Sequence, residues 1–194
     1  MFTSLKEKTL TLNNSTCPWW LCFTFDNPVR RLLHNPEQIL GGLLRPGQTV
    51  ADIGCGMGYF AVPMARLVGE GGRVIAVDLQ PEMLDALKRR AARQNLHHRI
   101  HYHLAQPDRI GLAEPADLAL AFWMVHEVRN PAAFLAEING MLKPDGRFLM
   151  VEPKIHVSQG HFDKSVEIAR TVGLEPVAAP DVSISRAVLF APLP

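Results

Sequence analysis

The sequence has few cysteines, almost no net charge and no long apolar run, and each shortage removes a class of protein. Three cysteines, Cys17, Cys22 and Cys55, are too few for a disulfide scaffold, and the odd count fits a reducing compartment. Lys and Arg number 20 against 19 Asp and Glu, a net charge of +1. The broad cationic footprint of a nucleic-acid or anionic-membrane binder is therefore missing. No stretch approaches the roughly 18–20 apolar residues of a membrane span. The segment 1–16 carries charges and no apolar centre, which predicts no signal peptide and a cytoplasmic location. Internal repeats, low-complexity tracts and Gly/Ser linkers are absent too. What is there is 194 residues, 47% of them apolar, enough for one well-buried domain and too apolar for disorder.

Short apolar runs alternate with helical periodicity along most of the chain, the pattern of a βα fold with a mostly parallel sheet. Strands are predicted at 49–53, 73–78, 100–104, 117–122, 148–151, 174–178 and 185–191. A helix is expected over 59–68, with Pro63 confined to its first turn. Pro81 opens the next helix, where Met83, Leu87 and Ala91 recur four apart. Asn130-Pro131 starts a further helix that ends at Lys143-Pro144-Asp145-Gly146. Ser158 caps the last helix and Gly173 stops it. The segment before the first strand differs. Asn27-Pro28 and Asn35-Pro36 look like consecutive helix starts, so the chain divides into a helical cover (1–42) and an α/β core (43–194) within a single domain. Trp19 and Trp20 belong to an aromatic cluster in that cover, which either plugs the core or forms a lid lining an acceptor pocket.

The most informative stretch is Asp52-Ile53-Gly54-Cys55-Gly56-Met57-Gly58, where an apolar strand delivers three glycines to the start of a helix. Glycine serves where backbone must turn at positive φ or approach a ligand closely. Open α/β sheets bind ligands at such strand ends. A dinucleotide fits Gly56-x-Gly58-x-x-Ala61, with Asp78 about twenty residues on. Two features oppose it. The carboxylate of Asp52 would repel a pyrophosphate, and Tyr59 and Phe60 crowd the helix N-terminus. A cationic, phosphate-free nucleoside such as S-adenosylmethionine suits the same residues. Asp52 then takes its amino-acid end, directly or through water, and Asp78 its ribose hydroxyls. The adenine lies between Leu79 and Met83.

Asp52 to Gly58 resembles motif I of the class I S-adenosylmethionine-dependent methyltransferases, of the type-11 or UbiE-like branch. Asp78 is similar to that family's acidic residue at the end of strand two. Leu142-Lys-Pro-Asp-Gly-Arg-Phe148 resembles its turn before strand five, with Asp145 in place of a glycine. The resemblance spans about 43–191 and implies a Rossmann-like, seven-stranded sheet whose last strand inserts antiparallel. It implies S-adenosylmethionine as cofactor and S-adenosylhomocysteine as product. The implied cofactor residues are Asp52, Gly54, Cys55, Gly56, Gly58, Asp78, Leu79, Met83, Ala105, Gln106 and Phe122. One departure concerns adenine: where the family places an acidic residue after strand three, this chain has Leu104-Ala105-Gln106-Pro107-Asp108. Either the Gln106 carbonyl takes that role or Asp108 reaches back.

The same resemblance puts methyl transfer in the loop Phe122-Trp123-Met124-Val125-His126-Glu127. There His126 is the candidate general base, Glu127 the carboxylate that orients or charges it, and Trp123 either a pocket wall or part of the core. Glu152, ending strand five, either contacts the acceptor or pairs with Lys154. The cysteines do not have the spacing of a zinc pair, and no metal is expected. The basic segment from Lys88 to His103 reads as a solvated helix face followed by an edge loop rather than a nucleic-acid surface. The reading is methyl transfer to a small-molecule acceptor. Its rivals are a catalytically silent cofactor-binding module acting through a partner, and an NAD(P)-dependent oxidoreductase. The methylated element and the oligomeric state are not readable.

Overall fold

The protein is described from a computed structural model, in which residues 28–193 are described. Trp19, Trp20, Cys17 and Cys22 lie outside the described residues, as does most of the expected cover. Two short helices, α1 (Pro28–Leu33) and α2 (Pro36–Leu40), precede β1 (Thr49–Ile53). Then follow α3 (Ala61–Leu67), β2 (Arg73–Asp78), α4 (Pro81–Ala92), β3 (Ile100–Leu104), β4 (Ala116–Phe122), α5 (Pro131–Met141), β5 (Leu142–Pro153), α6 (Gln159–Thr171), β6 (Leu174–Ala178) and β7 (Ser185–Pro192).

The seven strands order as β3-β2-β1-β4-β5-β7-β6. Strands β1 to β5 pair in parallel, and β7 enters antiparallel between β5 and β6. This is the predicted sheet. Strand order reverses between β1 and β4, so the crevice beyond their carboxyl ends is the switch point where such sheets bind ligands. Helices cover both faces, which is why the central strands are apolar on both sides. Val50, Val74, Leu118 and Leu120 pack with Met64 of α3 and Leu87 of α4. Ala51, Ile75 and Ala119 pack on the other face with Leu135 and Ile138 of α5 and Phe162 of α6.

The expected caps form. The side chains of Asn35, Asn130 and Ser158 accept hydrogen bonds from the amides of Glu37, Ala133 and His161. Pro63 falls in the first turn of α3, where no helical partner is lost. The largest boundary difference is that β5 begins at Leu142, directly after α5, where the sequence reads as a turn. Gly146 allows this, because a side chain there would meet the carbonyls of Lys143 at 2.8 Å and Ala116 at 3.0 Å. Asp117 locks the same corner, accepting from the Thr49 amide and from Lys143 Nζ, both at 2.8 Å.

Candidate functional site

The loop after β1 is bound to the end of β2 by its own amides. Gly54 and Cys55 both donate to the Val77 carbonyl at 2.9 Å. Gly56 donates to Asp78 Oδ2 at 2.8 Å, and Gln80 to Asp78 Oδ1 at 2.9 Å. Both carboxylate oxygens of Asp78 are thus held in place, and each keeps a second lone pair for a ligand hydroxyl. Burial raises the Asp78 pKa, while the amides of Gln80, Gly56 and Leu79 pull it back down.

The three glycines do different work. All have positive φ: 72° at Gly54, 51° at Gly56 and 84° at Gly58. A Cβ on Gly56 would meet nothing within 4 Å, so its backbone borders open space. At Gly58 a Cβ would lie 2.1 Å from Leu87 Cδ1. Gly58, expected among the cofactor residues, is where α4 packs against the loop. Cys55 is buried in the core, and its thiol donates to the Gly56 carbonyl at 3.5 Å. Burial, followed by the nearby charges of Asp52 and Asp78, pushes that thiol's pKa up.

Asp52 is a carboxylate inside a central strand, 3% exposed. Burial pushes its pKa up to about 7, with a further rise from Asp78 and opposing effects from the Ala61 amide and Arg30. Its Oδ2 is buried without a hydrogen-bond partner among the described residues. Such an orphan atom at a ligand crevice fits a cation or a donor from a ligand. The ammonium of S-adenosylmethionine is such a group, and Asp78 and the open backbone at Gly56 fit its ribose and close approach. The residues present fit this cofactor.

On the adenine side, the Ala105 amide donates to the Asp78 carbonyl at 2.9 Å. Gln106 and Arg109 exchange backbone bonds across a tight turn that carries Asp108 at its exposed tip. Leu79 is exposed, but Met83 is 2% exposed at the start of α4. Between these two candidate adenine walls, only Leu79 offers free apolar surface.

The cover joins the site through α1 and the turn after it. The Arg30 guanidinium lies 4.2 Å from the Tyr59 ring centroid and 5.9 Å from that of Phe122. Phe122, expected to touch cofactor, is 7% exposed and packs on Phe60 at 4.5 Å. His34, which carried no sequence signal, is buried with its ring edge-on to Phe122 and Trp123. Its Nε2 donates to the Ser183 carbonyl at 2.9 Å, a contact across 149 residues. Burial lowers the His34 pKa, the Ser183 bond opposes this, and Arg30 lowers it further. Trp123 sits at φ 60° and donates its indole N–H to Ser185 Oγ at 3.0 Å. These bonds tie the turn after α1 and the loop after β4 to the start of β7.

The segment after β4 carries the second half of the site. His126 Nδ1 lies 2.5 Å from Glu152 Oε2, and Glu152 Oε1 accepts the Val125 amide at 2.9 Å. The Glu152 side chain is 2% exposed and that of His126 is 28% exposed. The carboxylate bonded to the imidazole is Glu152, while Glu127 contributes its charge, one of the two roles expected of it. One expectation is corrected: Glu152 does not pair with Lys154, since it points back under the loop after β4. Burial alone would lower the His126 pKa. The hydrogen bond and charge of Glu152, with the charge of Glu127, raise it overall. The His156 ring stacks at 6.3 Å from that of His126. Among the described residues no three His, Cys, Asp or Glu side chains gather as a metal ion requires.

Strand order, glycine loop and paired acidic strand ends define a class I S-adenosylmethionine-dependent methyltransferase fold. Residues 51–150 match the methyltransferase domain family, and the chain belongs to that family. It is 35% identical over 125 residues to a ubiquinone biosynthesis O-methyltransferase of Bradyrhizobium diazoefficiens, covering 64% of this chain and 44% of that protein. It is 35% identical over 116 residues to a malonyl-[acyl-carrier protein] O-methyltransferase of Serratia marcescens, covering 58% and 42%. The chain therefore spans less than half the length of either relative. A solved S-adenosylmethionine-dependent methyltransferase from Aquifex aeolicus superposes with a TM-score of 0.82 at 23% identity, over 92% of this chain and all of that one. That likeness establishes the fold. No helix among the described residues is long and apolar enough to cross a membrane.

Proposed function

We propose that this chain methylates a small-molecule acceptor, using S-adenosylmethionine held beyond the carboxyl ends of β1 and β2. The observation that carries this reading is the buried, unpartnered Oδ2 of Asp52 beside the backbone-clamped carboxylate of Asp78. S-adenosylmethionine, when bound, supplies a methyl group activated on sulfonium and leaves as S-adenosylhomocysteine. The chain's own part is to bind, to align and to move one proton. Asp78 accepts ribose hydroxyls, the Gly56 backbone gives close approach, and Asp52 answers the ammonium. His126 sits on the same carboxyl edge of the sheet as Asp78 and is the proton acceptor; alignment and water exclusion supply most of the rest.

The small-molecule acceptor draws support from the relative whose name places it in ubiquinone biosynthesis. Two measurements test the reading. Calorimetry separates the cofactor classes: S-adenosylhomocysteine binds and NADH does not. Labelled methyl from S-adenosylmethionine enters a small product when the protein is incubated with metabolite extract. Tight binding without any labelled product would leave the silent module, and label found only in macromolecules would remove the small-molecule acceptor.

A further inference from the structure

The Glu152–His126 contact decides more than orientation. An ionised carboxylate has no hydrogen to give, so in the neutral imidazole the shared proton belongs to Nδ1. Glu152 cannot turn away from this task. It is buried among β5 neighbours, and its other oxygen is held by the Val125 amide at 2.9 Å. That amide opens the short turn carrying His126, so one carboxylate fixes both the backbone and the ring of the same turn. Burial lowers the imidazole's pKa, while Glu152 from β5 and Glu127 from its own turn raise it; the His156 ring lies beside it at 6.3 Å.

We propose that Glu152 is a positioning residue that holds His126 as the Nδ1–H tautomer, so that Nε2 takes the proton of a neutral hydroxyl acceptor. The inference rests on the methyl-transfer reading and names the acceptor class for that site. As the acceptor's O–H bond breaks, its proton goes to Nε2 and its electron pair forms the O–CH3 bond. The pair of the departing S–CH3 bond stays on sulfur, and His126 afterwards returns the proton to water. The imidazolium so formed is balanced by Glu152. A carboxylate acceptor has no proton to lose and gives a held imidazole base nothing to do. A neutral hydroxyl must lose a proton and needs that base.

Two-bond proton–nitrogen correlation spectra of the full chain, labelled in histidine, read the tautomer without any turnover. Above its titration point His126 should show a protonated Nδ1 and a bare Nε2. It should also titrate above the ordinary imidazole range. Glu152→Gln should lower that titration point and reduce kcat about 100-fold, with KM for S-adenosylmethionine little changed. A protonated Nε2 with bare Nδ1 in the wild-type chain would overturn the positioning role. If Glu152→Gln does not fold, the wild-type spectrum alone decides. The acceptor class has its own readout. Carbon-13 methyl transferred into a metabolite extract should appear at the shift of an ether. An ester, amine, thioether or carbon-bound methyl overturns the hydroxyl acceptor. Absence of any labelled product overturns the methyl-transfer reading instead, and leaves the tautomer result to stand by itself.

Discussion

The amide of Gly56 donates to the carboxylate of Asp78 across 2.8 Å, joining the loop after β1 to the end of β2. Each half of the proposed cofactor cradle therefore holds the other in shape. Asp78→Ala frees the Gly56 and Gln80 amides and removes the proposed ribose acceptor together. S-adenosylhomocysteine affinity should fall about 100-fold, as losing a charged hydrogen-bond partner costs about 1.5–3 kcal/mol per bond. Calorimetry measures it, and an unchanged affinity would place the cofactor elsewhere.

Two glycines of the same loop should separate binding from folding. Gly56→Ala puts a methyl into open space, at a backbone cost of about 1–2 kcal/mol, and obstructs ligand approach. Gly58→Ala drives a methyl into the buried Leu87 at φ 84°, and should cost about 2–4 kcal/mol of stability. Urea unfolding and S-adenosylhomocysteine titration on both variants check the split. Gly56→Ala should keep the fold and lose the ligand, and Gly58→Ala should mainly lose stability.

Asp52 should make stability and binding respond to pH in opposite senses. Unfolded, the group releases its proton near 3.8; folded, at about 7. Between those values the folded state holds the extra proton, so stability declines as pH rises through the window and levels off above it. Asp52→Asn should remove that decline, as seen in urea midpoints taken across the window. A cationic amino-acid end needs the ionised carboxylate, so wild-type affinity for S-adenosylhomocysteine should be tighter at about pH 8 than at about pH 6. Affinity in the Asn variant should be weaker and no longer change across that range.

Ser185 should matter for the placement of the cover. Its hydroxyl accepts the Trp123 indole N–H at 3.0 Å and donates to the Ser183 carbonyl at 3.0 Å. Ser185→Ala leaves a part-buried indole donor unpaired, at a cost of about 1–3 kcal/mol. The change should also shift Trp123 fluorescence and increase hydrogen exchange at the His34 amide. A silent substitution would show that other contacts hold Trp123.

Much of the framework was legible because its signals are local. The caps at Asn35, Asn130 and Ser158, the period of α4 and the glycines before α3 each act within a few residues. Asp52 and Asp78 were readable for a related reason: each stands where an apolar strand ends or is interrupted by a charge. Glu127 was the natural partner for His126 only because it is next in sequence. Adjacent residues in a tight turn point apart, and the carboxylate that reaches the ring comes from β5, 26 positions away. The roles of Gly56 and Gly58 could not be told apart either, since what fills the space beside each glycine is set by α4.

The sequence by itself determined the sheet, the glycine loop and the acidic strand ends, and with them the family and its cofactor. Those properties follow from hydrophobic periodicity and backbone conformation, which neighbouring residues control. The tertiary structure alone decided which carboxylate serves His126, which glycine borders open space, and that His34 and Ser185 tie the cover to the start of β7. Each of these is a contact between elements far apart in the chain. Such contacts exist only once the parallel sheet has brought the strand ends to one edge and buried the charges there.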